Sequence, residues 1–217
     1  MSSIQENVIE IRKKLNEVNP STGILAATKT RTIEEIRDCL STGLVLGAGE
    51  NKVQELRDKY TPDFRWDFIG QLQTNKVKYV VGKAELIHSM DRISLAEEIQ
   101  KECRKKSVRQ KVLIEINTGN EESKGGISLS NLDAFLEELQ RFDLISVVGL
   151  MAVAPVFYTS DELKKTFDGV YEAFFKRKSA TFDTLSMGMS NDYLIAAECG
   201  ANLVRPGRAI FGERQYK

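Results

Sequence analysis

Short apolar runs alternate with helical patterns along the whole chain, and this alternation constrains the fold more than any other feature. In the helical patterns, apolar residues recur every three or four positions. The eight strand candidates are residues 24–27, 44–46, 66–69, 86–88, 112–116, 146–150, 184–186 and 202–204. Strands separated by helices are typical of parallel sheets, because a parallel crossover needs about a dozen residues.

Eight strand–helix units without a long antiparallel section favour closure into a barrel over an open doubly wound sheet. We therefore expect a single (β/α)8 TIM barrel, in which residues 1–217 form one domain with an extra N-terminal helix over residues 3–18. Active sites of such barrels lie at the carboxyl ends of the strands. The residues directly after each apolar run are therefore the candidates for chemistry.

Charge, cysteine content and hydropathy exclude several classes of protein. Basic and acidic residues balance at 31 each, which leaves no overall field to attract nucleic acid or an anionic membrane. The three cysteines are widely spaced and form no CxxC pair, a pattern that indicates a reducing compartment and neither disulfides nor a metal site. The charged N-terminus resembles no signal peptide, and no apolar run approaches the roughly 20 residues of a membrane span. We expect a cytoplasmic protein.

Lys29 is the first candidate for chemistry, because it directly follows the first apolar run. At the end of a barrel strand its amine would lie in the mouth of the barrel, partly removed from water. A free amine in such a place attacks aldehydes. An ordinary solvated lysine is the alternative, and the position alone does not exclude it.

The segment from Ser186 to Asp192, S-M-G-M-S-N-D, is the second candidate, because it follows the seventh run and leads into a helix. Glycine and serine at such a junction bind anions through backbone N–H groups and a hydroxyl. The next loop, R-P-G-R at residues 205–208, adds another glycine and two cations. Loops after strands seven and eight of these barrels frequently build a phosphate site. A serine-capped turn, or a site for another phosphorylated metabolite with Lys29 as a bystander, remains an alternative.

Seven motifs in consistent order between residues 25 and 214 resemble one family: A-A-T-K-T, G-E-N-K-V-Q-E, W-D-F-I-G-Q-L-Q-T-N-K, H-S-M-D-R, E-S-K-G-G, L-S-M-G-M-S-N-D and V-R-P-G-R-A-I-F-G-E-R. These segments look like the pyridoxal phosphate homeostasis proteins (YggS in bacteria, PROSC in animals). That family is similar to the barrel domain of alanine racemase, the fold type III of pyridoxal phosphate (PLP) proteins. Any one motif alone would be a weak signal, whereas seven in order are specific.

The resemblance implies that PLP is the cofactor and that Lys29 carries it as a Schiff base. It also implies that the Ser190 hydroxyl and the amides of Gly207 and Arg208 hold the phosphate. Arg205 would face the pyridine nitrogen. Asn51 and Met187 would line the ring, a turn at His88-Ser89-Met90 would contact a ring face, and Ser186 would be a second hydroxyl near the phosphate. Lys124 is a separate candidate from its position in the glycine-rich loop after the fifth strand, at the barrel mouth, where its amine would meet an incoming or departing phosphate.

The sequence departs from the usual family pattern in several places. Gly47-Ala48 precedes G-E-N, Gln71 replaces a usual histidine, and Pro206 and Arg208 replace an apolar residue and a hydroxyl residue. Arg208 removes a side-chain hydroxyl from the phosphate site, although its backbone N–H remains and its guanidinium is able to bind phosphate. We expect the cofactor site to be intact.

The resemblance implies a carrier that stores, buffers or delivers PLP without robust catalysis. Arginine opposite the ring nitrogen donates a hydrogen bond but hands over no proton, which leaves the cofactor a poorer electron sink. A racemase of this type would also need a second domain, for which the chain has no length, and neither Tyr158 nor Tyr193 matches a catalytic motif. A slow PLP-dependent amino-acid racemase is the alternative. We expect a monomer whose partners are PLP and PLP-dependent apo-enzymes.

Overall fold

Eight parallel strands form a closed barrel in the order of the chain. The structure is a computed structural model that describes residues 3–119, 125–155 and 158–213. The strands are β1 (Gly23–Ala27), β2 (Gly47–Glu50), β3 (Trp66–Phe68), β4 (Leu86–Met90), β5 (Gln110–Ile116), β6 (Ile145–Ala152), β7 (Thr184–Ser186) and β8 (Leu203–Val204). Because β1 pairs with both β2 and β8, the sheet has no free edge. The expected TIM-barrel fold is confirmed.

Helices follow the strands around the outside of the barrel. They are α1 (Ile4–Val18), α2 (Ile33–Leu40), α3 (Val53–Lys59), α4 (Ile93–Lys106), α5 (Leu132–Leu139), α6 (Ser160–Phe175), α7 (Tyr193–Glu198) and α8 (Arg208–Phe211), with short 3₁₀ helices at Thr74–Tyr79 and Leu129–Asn131. Capping boxes start α1 at Ser3, α2 at Thr32 and α6 at Thr159. Within the described ranges, no helix is long and apolar enough to cross a membrane.

The extra N-terminal helix covers the seam where the barrel closes. Val8, Ile11 and Leu15 on α1 are buried and pack in one cluster with Ile24 of β1 and Val204 of β8. Burying such aliphatic side chains contributes about 1.5–3 kcal/mol each. The helix therefore stabilises the junction from which both the first and the last candidate loops emerge.

The second strand lies three residues beyond its predicted position at 44–46, so that prediction is wrong. Leu46 is half exposed, and the paired residues are the small ones from Gly47 onward. A Cβ added at Gly47 would lie only 2.6 Å from the carbonyl oxygen of Arg65, so this strand approaches its neighbour too closely for a larger side chain. The strand consequently lacks the apolar pattern used to predict it.

The turn predicted at His88-Ser89-Met90 is also wrong, because all three residues lie in β4 and are buried. The interior of the barrel has two kinds of lining. Leu86, Leu113 and Met151 form a small apolar cluster on three consecutive strands. Polar side chains, including that of His88, occupy the part nearer the carboxyl ends.

Candidate functional site

A cavity of about 850 Å³ opens at the carboxyl ends of the strands. It takes its walls from the segments after β1, β2, β3, β6, β7 and β8. Six of the seven predicted site residues line it, namely Lys29, Asn51, Ser190, Arg205, Gly207 and Arg208. Met187 does not, because it is fully buried in the main core beneath the loop after β7. Lys124 lies outside the described residues.

The Lys29 side chain extends into the cavity from a fixed backbone. Its side chain is partly exposed in the cavity and makes no hydrogen bond or ion pair with any residue that the structure describes. The residues on either side are tied to α3, since the Thr28 carbonyl accepts from Lys59 at 3.0 Å and the Thr30 N–H donates to Glu55 at 2.6 Å. Thr30 has a φ of 67°, a left-handed conformation that is strained for a β-branched residue. The surrounding contacts hold this turn in place.

A buried carboxylate supports the Lys29 turn from below. Glu50, the last residue of β2, is fully buried and accepts hydrogen bonds from the Thr28 hydroxyl at 2.7 Å and from Lys59 at 2.9 Å. Burial raises the pKa of Glu50 above its usual range, and the two donors oppose that rise. Glu50, Glu55 and Lys59 were not predicted as site residues, although an acid inside the G-E-N motif at the carboxyl end of a strand was a usable signal.

The loops after β7 and β8 are joined through one hydroxyl. The Ser190 oxygen accepts from the N–H of Gly207 at 3.0 Å and from the N–H of Ala209 at 3.1 Å. The role predicted for the Arg208 amide is toward a phosphate and stays a prediction. A Cβ at Gly207 would lie 3.1 Å from the carbonyl oxygen of Ala27, which is tighter than most side-chain contacts. The geometry forms a small cradle of N–H and O–H groups.

The Arg208 side chain points to other partners. Its guanidinium donates to the side-chain oxygen of Asn191 at 3.1 Å and pairs with Glu213 at 3.7 Å. The side chain is 48% exposed, so these contacts are strongly hydrated. Arg208 therefore lines the rim of the cavity.

Arg205 is a buried cation at the cavity wall. It is 3% exposed and donates to the Ser186 hydroxyl at 2.5 Å and to the Ala152 carbonyl at 2.9 Å. Burial lowers the pKa of Arg205 to about 10, while the carboxylates of Asp192 and Glu115 oppose the shift. The guanidinium is therefore still protonated at neutral pH. It presents a fixed hydrogen-bond donor to the cavity.

The Ser186 hydroxyl connects Arg205 to the barrel interior. Its oxygen lies 3.2 Å from His88 Nδ1, and His88 Nε2 lies 3.2 Å from a carboxylate oxygen of Asp67. Arg65 donates two hydrogen bonds of 3.1 Å to the same carboxylate. Neither Ser186 nor any residue of the His88-Ser89-Met90 segment is among the cavity-lining residues of the described chain. The sequence analysis missed Asp67, which lies within an otherwise apolar run.

The cavity fits PLP in size and chemistry. Its volume lies within the roughly 300–1,000 Å³ of small-molecule sites. A free lysine amine suits an aldehyde, the Ser190 cradle suits a phosphate, and the buried guanidinium of Arg205 suits a ring nitrogen. These roles toward a cofactor stay predictions.

Comparisons with known proteins agree with this geometry. The model of the family "Alanine racemase, N-terminal domain" matches residues 1–215. A pyridoxal phosphate homeostasis protein of Aquifex aeolicus is 40% identical over 223 residues, which cover 100% of this chain and 97% of that protein.

Two solved structures have the same fold. PipY of Synechococcus elongatus with PLP bound matches at a TM-score of 0.83 with 28% identity, over 97% of this chain and 100% of that one. Alanine racemase from Streptomyces coelicolor matches at a TM-score of 0.72 with 19% identity, over 97% of this chain and 58% of that one, and shows the fold alone. Because it is 40% identical to a homeostasis protein over its full length and matches the racemase-domain model over residues 1–215, this chain belongs to the pyridoxal phosphate homeostasis proteins of the alanine racemase N-terminal domain family.

Proposed function

We propose that this protein binds PLP as a Schiff base on Lys29 and stores, buffers or delivers it, with residues 1–217 acting as one PLP-binding domain. The observation that carries the proposal is the single cavity that combines the free amine of Lys29, the Ser190 cradle and the buried Arg205. Lys29 would hold the cofactor covalently, and the cofactor would supply an aldehyde that condenses reversibly with the lysine amine, with water as the leaving group. Reversibility of that condensation suits a carrier.

The Ser190 cradle is built to hold a phosphate. Because two backbone N–H groups already donate to its oxygen, the Ser190 hydroxyl has its own proton free to donate into the cavity. The amide of Arg208 lies in the same turn and adds a donor for a dianion, while the amide of Gly207 would have to exchange its bond with Ser190 for one to the phosphate. Hydrogen bonds to a charged group are worth about 1.5–3 kcal/mol each, so this loop accounts for much of the affinity.

The ring would lie between Lys29 and Arg205. Asn51 is exposed on the cavity wall, and its backbone is held by the close approach of Gly70, where a Cβ would lie 2.1 Å from the Asn51 carbonyl oxygen. Met187 is buried in the main core directly after β7, so we propose that its role toward the ring is indirect.

Arg205 favours a carrier over an enzyme. With a pKa of about 10 it keeps its protons at neutral pH, so it donates a hydrogen bond to the ring nitrogen without transferring a proton. The site thereby binds the ring without making it a strong electron sink. We infer that the protein acts as a monomer in the cytoplasm and passes PLP to PLP-dependent apo-enzymes.

A slow amino-acid racemase is the second candidate, and one observation favours it. Tyr158 lines the same cavity as Lys29, so a phenol is available as a second acid–base group. Incubation of the loaded protein with L-alanine and other L-amino acids, followed by chiral chromatography, tests it. Racemisation that is lost in Tyr158→Phe would establish the racemase, and turnover at ordinary enzymatic rates would overturn the carrier.

Borohydride reduction and mass analysis test the covalent proposal. The wild type should gain one reduced cofactor on the peptide that contains Lys29, and Lys29→Ala should gain none. Lys52→Ala, which removes an exposed lysine just before α3, is the matched control and should be labelled like the wild type. Absence of visible absorption and of label in the wild type would favour a different phosphorylated metabolite.

A further inference from the structure

Four buried side chains cross the interior of the barrel in one hydrogen-bonded chain. Asp67 is on β3, His88 on β4 and Ser186 on β7, and Arg205 follows β8; none is more than 3% exposed. In the barrel order β5 and β6 separate β4 from β7, so His88 and Ser186 meet across the interior. This series of hydrogen bonds ends with Arg205 at the cavity that Lys29 also lines.

The direction of each hydrogen bond in this series follows from the Arg205 guanidinium at its end. A guanidinium only donates, so the Ser186 oxygen accepts from Arg205 and the Ser186 proton is left for His88 Nδ1. An Nδ1 that accepts leaves the proton of a neutral imidazole on Nε2, which then donates to Asp67. One protonation pattern therefore satisfies every member.

The surroundings of His88 favour that neutral form. Complete burial lowers the pKa of His88, and the cations Arg205 and Arg65 act in the same direction, while Asp67 opposes them. Although burial alone would raise the pKa of Asp67, hydrogen bonds and charges from His88 and Arg65 lower it. Fully satisfied buried networks are rigid and favour one arrangement of their side chains.

We propose that His88 is a positioning residue for Arg205: it fixes the Ser186 hydroxyl, which in turn fixes the guanidinium that faces the ligand. This inference rests on the proposed function only in its statement that the ligand of Arg205 is the PLP ring. Without His88 the Ser186 proton loses its acceptor, the hydroxyl rotates, and the guanidinium loses one of its two fixed contacts.

The ligand-free protein provides the first test. His88 is the only histidine of the chain, so a nitrogen-resolved NMR spectrum contains one imidazole. At neutral pH we expect a proton on Nε2 and none on Nδ1, and we expect the side-chain N–H of Arg205 to exchange with water at least tenfold faster in His88→Phe. An imidazolium, the Nδ1–H tautomer, or equal exchange in the two proteins would overturn the proposal.

Binding of PLP provides the second test. His88→Phe should raise the Kd for PLP about tenfold and shift the absorption maximum of the bound form, because a displaced Arg205 contacts the ring nitrogen poorly. His88→Asn, whose side-chain oxygen can accept from Ser186, should recover part of both effects. Ser89→Ala is the matched control: Ser89 is the next residue on β4, is buried, and its hydroxyl has no partner in the described chain, so both values should stay as in wild type.

Ser186→Ala removes a link from the same series of hydrogen bonds with a smaller change in side-chain size. It replaces His88→Phe in both tests if that variant does not fold. The double variant should bind PLP no more weakly than the weaker single variant, because both remove the same link. Folded His88→Phe and Ser186→Ala proteins with wild-type Kd and spectrum would overturn the proposal. If wild type binds no PLP, the proposed function fails, and the ligand-free measurements still decide the role of His88.

Discussion

The ammonium nitrogen of Lys59 lies 3.0 Å from the carbonyl oxygen of Thr28, the residue immediately before Lys29. The same nitrogen pairs with the carboxylates of Glu50 and Glu55, each at 2.9 Å. Lys59 is the last residue of α3, so one side chain connects the end of that helix to the end of β1. Lys59 thus fixes the backbone position of the residue before Lys29.

Replacing Lys59 by Met should cost about 3 kcal/mol of unfolding free energy in urea, because it leaves the buried Glu50 carboxylate without its cation. The Thr28 carbonyl loses a donor as well, so PLP binding should weaken in the variant that remains folded. Lys14→Met is the control, since Lys14 pairs with Glu10 in solvent and should change stability by less than about 0.5 kcal/mol. Equal stability of the two variants would contradict the role assigned to Lys59.

Gly207→Ala should weaken PLP binding about tenfold or more, because the new methyl group pushes the cradle away from the Ala27 carbonyl and misaligns its amides. Pyridoxal, which lacks the phosphate, separates this effect from a general disturbance and should bind both proteins with similar Kd. Gly169→Ala is the control: nothing lies within 4 Å of the added methyl in α6, and stability should rise by about 0.5–1 kcal/mol. A Gly207→Ala protein that loses pyridoxal as strongly as PLP would contradict the phosphate cradle.

Arg208→Ser should change the Kd for PLP by less than about threefold at physiological salt, because the guanidinium is half exposed and bonds Asn191 and Glu213. Ser190→Ala should weaken the same binding about tenfold, since it removes the hydroxyl on which both loops converge. Fluorescence titration with PLP measures both. A larger loss in Arg208→Ser than in Ser190→Ala would show that the guanidinium binds the phosphate.

The barrel was predictable because most of its strands are apolar runs of the right length, each followed by a helix. The failure at β2 has a physical cause: the close approach of Arg65 leaves no room for a side chain at Gly47, and the strand G-A-G-E contains no large apolar residue to detect. The start of α2 has a local sequence signal, because a threonine followed three residues later by a glutamate forms the capping box seen at Thr32.

The polar interior was not predictable from local pattern. Asp67 and His88 lie in short strands whose neighbours are apolar, and a strand buried on both faces shows no alternation that separates interior from exterior residues. The partner of His88 is 98 positions away in Ser186, and only closure of the barrel brings them together. The Lys59 contact with Thr28 was not predictable from local sequence for the same reason, since 31 positions separate the two residues.

Glu115→Gln should make the protein more stable than wild type above pH 7 and of similar stability near pH 4. Burial, with the nearby Asp91, raises the pKa of Glu115 from 4.5 to about 7, against the attraction of Arg205. Between those pH values the folded protein holds a proton that the unfolded chain has released, so the free energy of unfolding falls as pH rises through this window. Between pH 4.5 and about pH 7 the wild type should lose about 3 kcal/mol relative to Glu115→Gln, measured by urea unfolding at each pH. Glu138→Gln on α5, an exposed control, should follow the wild-type curve. Parallel curves for wild type and Glu115→Gln would contradict a raised pKa, because they require the same pKa of Glu115 in the folded and the unfolded chain.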